Sequence, residues 1–179
     1  MYQIDKQFDF CYGHRVWTQQ LNPKFSIENT CKCRFNHGHF GVLKVGLKSE
    51  TLKNSMVTDF KHLNFFKQIL DKDFDHKFIS DINDPLFRDC YSQIDKCKSA
   101  IVDKVFYKTI DPKKLPSDLS PEVKEKMEGL VMVDFVPTSE NLSKMFFQIV
   151  EDHIKELGVE VAFVDFWETP RSHCRYTKD

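Results

Sequence analysis

Apolar and polar positions alternate loosely from Tyr2 to Trp17, and Phe40 to Leu47 reads Phe-Gly-Val-Leu-Lys-Val-Gly-Leu. This period of two predicts a pair of antiparallel strands, with an irregular excursion from Thr18 to Asn36 that is too long for a hairpin turn. After Asp59, a suitable N-cap, Phe60, Leu63, Phe66, Ile69 and Leu70 recur at helical spacing and predict an amphipathic helix of about three turns. A second helix opens at Pro137-Thr138-Ser139-Glu140. Its stripe is Leu142, Met145, Phe146, Ile149, Val150 and Leu157, and Gly158 stands where a C-terminal stop belongs. Val131 to Val136 and Val159 to Trp167 read as further strands. Between the two helices, Phe87 to Lys126 carries two weaker helical patterns. One includes Ile94, Ala100, Ile101 and Val105, and the other opens at Ser120-Pro121-Glu122 with a Ser cap and a Pro in first position. We read this block as an insertion in one domain spanning 1–179.

Composition narrows the picture. The 179 residues are 41% apolar and 30% charged with only 7 Pro and 6 Gly, which excludes a disordered or low-complexity chain. Lys and Arg (26) nearly cancel Asp and Glu (27), so no global field draws the chain to nucleic acid or anionic lipid. The charged start and the lack of any long apolar run predict a soluble, cytoplasmic protein with no membrane partner. Its six cysteines are then expected as reduced thiols.

The chemistry-bearing residues cluster. His37-Gly38-His39 opens the second strand, and an i, i+2 pair on a strand points both imidazoles to one side of the sheet. His14 lies near the end of the first strand, so antiparallel pairing would bring three imidazoles together, a ligand set that suits zinc with an open fourth position. Iron or manganese would also accept three histidines. Taken alone, His-Gly-His is equally a surface turn, and Cys31-Lys32-Cys33 beside it could belong to a closed Cys/His zinc site. Asp75-His76 places a carboxylate beside an imidazole, which can hold a tautomer or raise basicity, although such dipeptides also occur in solvated loops. Thr138, Ser139 and Glu140 have an equally good structural explanation as a helix start, where hydroxyls cap and a glutamate complements the dipole. Glu168, at the end of an apolar strand, requires a donor pair such as the edge of a guanidine-like heterocycle.

In order, Phe10-x-x-x-His14-Arg15, Cys33-x-x-x-His37-Gly38-His39, Met56-Val57-x-Asp59-Phe60-x-x-Leu63, Phe74-Asp75-His76-x-x-Ile79-x-Asp81, Pro137-Thr138-Ser139-Glu140-Asn141 and Glu168-Thr169 resemble the 6-pyruvoyl-tetrahydropterin and 6-carboxytetrahydropterin synthase family. The resemblance implies an α+β tunnelling fold: a four-stranded antiparallel sheet with two main helices on one face, assembling as a homo-oligomer of trimers or hexamers. It implies zinc at His14, His37 and His39, a catalytic Cys33 with Asp75 and His76 as its partner pair, and a pterin held by Glu168 near Thr138 and Ser139. The substrate it implies is a small-molecule pterin triphosphate, whose charge requires cationic groups at the mouth, with Arg15, Arg34, Lys32 or Arg171 as the candidates. Thr169-Pro170 after Glu168 offers no second acid, which points to the carboxy-type enzyme. That enzyme converts 7,8-dihydroneopterin triphosphate to 6-carboxy-5,6,7,8-tetrahydropterin, releasing acetaldehyde and triphosphate, on the route to queuosine. The alternatives are the pyruvoyl-forming synthase and a non-catalytic metal- or pterin-binding protein of the same fold. This sequence departs from the family in two long segments, one between His14 and Cys33 and one between His76 and Pro137.

Overall fold

A computed structural model describes residues 1–178. Its strands are β1 (Tyr2–His14), β2 (His37–Ser49), β3 (Lys77–Asp81), β4 (Ile101–Asp103), β5 (Lys108–Ile110), β6 (Leu130–Val133), β7 (Glu160–Thr169) and β8 (Ser172–Tyr176). The helices are α1 (Asn64–Ile69), α2 (Arg88–Lys96), α3 (Pro121–Glu128) and α4 (Ser139–Ile154). The strands bond in the order β4-β5-β6-β3-β1-β2-β7-β8.

The expected four-stranded antiparallel sheet is therefore corrected to a mixed sheet of eight strands. β2 pairs antiparallel with β7, and β7 with β8, but β3 lies parallel to both β1 and β6. β6 had been expected as Val131 to Val136. It ends at Val133 and pairs with β3, a short strand whose five residues carry little periodic signal. The block from Phe87 to Lys126 forms not only α2 and α3 but also the hairpin β4/β5, which joins the sheet through Lys108 opposite Met132.

Contacts divide the chain into two units. The first comprises 1–11, 39–75 and 139–179. Its core is aromatic: Phe146 of α4 is fully buried, with ring centroids of Phe66, Phe74, Phe10 and Phe166 at 5.2–5.9 Å in edge-on geometry. Such pairs add about 0.5–1.5 kcal/mol each beyond area burial, which gives the abundant Phe a structural use. Asp59 caps the predicted first helix by accepting from the Lys61 amide, as expected. That helix is not uniform. It starts as a 3-10 turn, continues as α1 and ends in a π-turn over Leu70–Phe74, where the Asp75 amide reaches the Leu70 carbonyl at 2.8 Å. Gly158 adopts φ +70°, the left-handed stop that its position after α4 predicts.

The second unit comprises 12–38 and 76–138. Its own core packs Phe87, Cys90 and Ile94 against Ala100, Met127 and Leu130. Among the described residues, no helix is long and apolar enough to cross a membrane.

Candidate active site

β1 ends in His14 and β2 begins with His37 and His39. The ligand atoms of these three histidines lie within 4.8 Å of one another. His14 is buried, and the other two are half-buried.

The outer nitrogens decide what the inner ones can do. His14 Nδ1 lies 2.6 Å from the Pro137 carbonyl, and His37 Nδ1 lies 2.8 Å from the Phe35 carbonyl. A carbonyl only accepts, so both Nδ1 atoms carry the proton, and each neutral ring then presents a bare lone pair at Nε2. Those two Nε2 atoms face each other at 3.1 Å. Two lone pairs at that distance repel unless a proton or a cation lies between them. With His39 Nε2 also buried, the donor set fits a divalent metal bound through imidazole nitrogen. The carbonyls of Phe35 and Pro137 are the outer partners that fix ring orientation. The Pro137 carbonyl lies 123 residues from His14 in sequence and has no sequence signature.

The proposed acid–base residues sit on special backbone. Asp75 caps the π-turn, and its Oδ1 accepts the Cys11 amide at 2.8 Å. π-Turns are rare and recur at functional sites. His76 is exposed and held at φ +58°, in the left-handed region that few non-glycine residues occupy. Cys11, Asp75 and His76 bring their ligand atoms within 4.8 Å of one another, so the thiol that meets this pair is Cys11. Cys33 is half-buried in a 3-10 turn, where its amide donates to Cys31 Sγ and its carbonyl accepts the Val16 amide at 2.8 Å.

Ser139 opens α4, and its carbonyl accepts the Ser143 hydroxyl at 2.6 Å. Thr138 is half-buried, and its amide donates to the Val136 carbonyl. Glu168 is half-buried near the end of β7.

Of the expected triphosphate cations, Arg15 is paired with buried Asp84 at 3.2 Å, and Arg34 Nη1 donates to the Gln19 carbonyl at 2.7 Å. Lys32 and Arg171 are exposed.

The family model described as 6-pyruvoyl tetrahydropterin synthase matches residues 3–179. The chain belongs to that family. It is 31% identical to the 6-carboxy-5,6,7,8-tetrahydropterin synthase of Aquifex aeolicus, with 99% of both chains covered. The enzyme of the same name from Haemophilus influenzae is 25% identical, covering 98% of this chain and 99% of that one. Among solved structures, an uncharacterized protein from Wolinella succinogenes superposes with a TM-score of 0.90 at 45% identity, covering 99% of this chain and 98% of that one. The 6-pyruvoyl tetrahydropterin synthase of Caenorhabditis elegans shares the fold at a TM-score of 0.56 and 19% identity, with 99% and 96% covered.

Proposed function

We propose that the protein is a zinc-dependent 6-carboxy-5,6,7,8-tetrahydropterin synthase acting on 7,8-dihydroneopterin triphosphate, with acetaldehyde and triphosphate as the other products. The reaction feeds 7-deazaguanine and queuosine synthesis. Full-length similarity to relatives of that name supports the reaction. The observation that carries the metal chemistry is the pair of imidazole lone pairs facing each other at 3.1 Å beside His39.

In this reading His14, His37 and His39 hold zinc, which supplies Lewis-acid stabilisation of oxyanion charge on the substrate side chain. Cys33, as thiolate, accepts a proton from that side chain. His76 exchanges the second proton. Its neighbour Asp75, steadied by the Cys11 amide, orients the ring. Glu168 grips the 2-amino and ring N–H edge of the pterin as a two-point acceptor, with the hydroxyls of Thr138 and Ser139 near the ring, and so sets the reacting carbon against the proton-transfer groups. Lys32 and Arg171 are the cations left for the triphosphate. The enzyme works as a homo-oligomer built on trimers.

Two variants test the roles. Cys33→Ala is expected to lower kcat by at least about 100-fold, the scale of acid–base catalysis, and to keep one zinc per chain. Loss of the metal in that variant would make Cys33 a ligand instead. His37→Ala is expected to lose zinc and turnover together, and retained zinc would overturn the three-histidine site.

A further inference from the structure

Two buried carboxylates lie outside the machinery described so far. Asp81 and Asp84 are 3% and 2% exposed and flank the end of β3. Each has its own local partners: Asp81 Oδ1 accepts the Asn83 amide, and Asp84 Oδ1 accepts the Leu86 amide as a helix cap. Their remaining oxygens reach across to the residues that follow β1. Asp84 Oδ2 meets Arg15 Nε at 3.2 Å, and Asp81 Oδ2 accepts Trp17 Nε1–H at 3.0 Å.

The segment they grip is strategically placed. β1 pairs with β3 at Tyr12 opposite Lys77 and at Gly13 opposite Phe78, immediately before His14. Arg15 is the next residue after His14. Between Arg15 and Trp17 stands Val16, whose amide donates to the carbonyl of Cys33 at 2.8 Å. Side chains on either side of that amide are thus fixed by two buried carboxylates, while the amide itself fixes the turn that carries Cys33.

We propose that Asp81 and Asp84 are positioning residues that clamp Arg15 and Trp17, and through them set His14 for the metal and hold the Cys33 turn in register. The clamp rests on the three-histidine metal reading for the first effect and not for the second. An Arg–carboxylate contact with little solvent has little freedom to shift, and the hydrogen bond to a buried carboxylate holds the Trp17 ring by its N–H. The two acids open the segment that enters the chain after β3, so the clamp also gives that segment a role at the site.

The test uses purified full-length protein carrying Asp84→Asn, Trp17→Phe or Arg15→Lys, with Asp111→Asn as a control. Asp111 caps a turn within the same segment and touches neither Arg15 nor Trp17. Zinc Kd is read by competition with a chromophoric chelator, and alkylation of Cys33 by iodoacetamide is followed by peptide mass mapping. Asp84→Asn and Trp17→Phe are expected to weaken zinc binding about tenfold, the lower end for loss of an outer partner of a metal ligand. They should also speed Cys33 alkylation several-fold, and Arg15→Lys, which keeps the charge opposite Asp84, should change both by less. Asp111→Asn should lower Tm with zinc Kd and alkylation unchanged. Trp17→Phe keeps the ring and removes only the donor, so it answers even where Asp84→Asn fails to fold. Lower Tm in the clamp variants with both readouts within twofold of wild type would overturn the clamp. Wild-type protein that binds no zinc would instead sink the metal reading, and the alkylation rates would then decide the clamp alone.

Discussion

Gly13 separates Tyr12 from His14 and lies opposite Phe78 in the parallel pairing of β1 with β3. A Cβ at this position would stand 2.7 Å from Phe78 Cδ2, 3.3 Å from Cε2 and 3.4 Å from the His37 carbonyl. Carbon–carbon contacts are comfortable at about 3.5–4.0 Å, so Gly13→Ala requires the ring or the strand to yield by about 0.8 Å. The Phe78 ring is itself braced by Phe87 at 5.3 Å between centroids, so it cannot swing away freely. Overpacking of this kind costs about 1–3 kcal/mol, and the stiffer unfolded chain with Ala offsets about 0.4–1 kcal/mol. The net loss is about 1–2 kcal/mol, and at about 2–4 °C per kcal/mol for a chain of this length Tm should fall by about 2–8 °C. Because Gly13 directly precedes His14 and its added Cβ would also touch the His37 carbonyl, zinc Kd should rise as well. Gly46→Ala is the matched control. Its Cβ would run into the Phe163 ring, on β2 beyond the histidines, so it should cost more stability and leave zinc Kd unchanged. Urea unfolding followed by circular dichroism, together with chelator competition, reads both quantities. A Gly13→Ala protein as stable as wild type, or a Gly46→Ala protein that loses zinc affinity equally, would refute the reasoning.

Three further outcomes are expected. Burial pushes the Tyr91 hydroxyl well above the ordinary tyrosine value. Its folded form therefore keeps the proton after the unfolded chain has lost it, and the stability linked to Tyr91 is intact below about pH 10 and falls as pH rises beyond it. Phenolate absorbance should show a tyrosine that ionises only on unfolding and is missing in Tyr91→Phe, and ordinary titration of Tyr91 in folded protein would contradict this. Arg175 holds Asp165, 1% exposed, through bonds of 2.6 and 2.7 Å. Arg175→Ala should cost about 1–3 kcal/mol in urea unfolding, at the low end because the arginine is half exposed, and Asp165→Asn should cost less because the charge it leaves, the Arg175 guanidinium, is solvated rather than buried; the reverse order would contradict this. Burial also raises the Cys90 thiol pKa, so Cys90 should be alkylated in native protein far more slowly than half-buried Cys31 or Cys174, and equal rates would refute its burial.

What the sequence reveals about the site follows from range. His37 and His39 share a side of one strand because strand periodicity is local, and the Asp59 cap and the Gly158 stop are local signals as well. The convergence of His14 with them needed a guess about strand pairing, which the shared ligand distance supports. Other parts carry no such signal. The carbonyls of Pro137 and Phe35 orient the imidazoles, yet every residue has a carbonyl. The parallel contacts of β3 connect distant segments of a five-residue strand, and β8 consists of Ser, His, Cys, Arg and Tyr without a clear apolar alternation. The hairpin β4/β5 has only three residues on each strand and was hidden within helical spacing at Ala100 and Ile101. Arg15 reads as a cation available to phosphate until Asp84 is placed beside it.

The most direct measurement is acetaldehyde formed per 7,8-dihydroneopterin triphosphate consumed, with metal-stripped protein titrated with zinc. The account predicts no turnover without metal, a rate that saturates at one zinc per chain, and one acetaldehyde for each 6-carboxytetrahydropterin. A three-carbon pyruvoyl product without acetaldehyde, or full activity in the stripped protein, would contradict it.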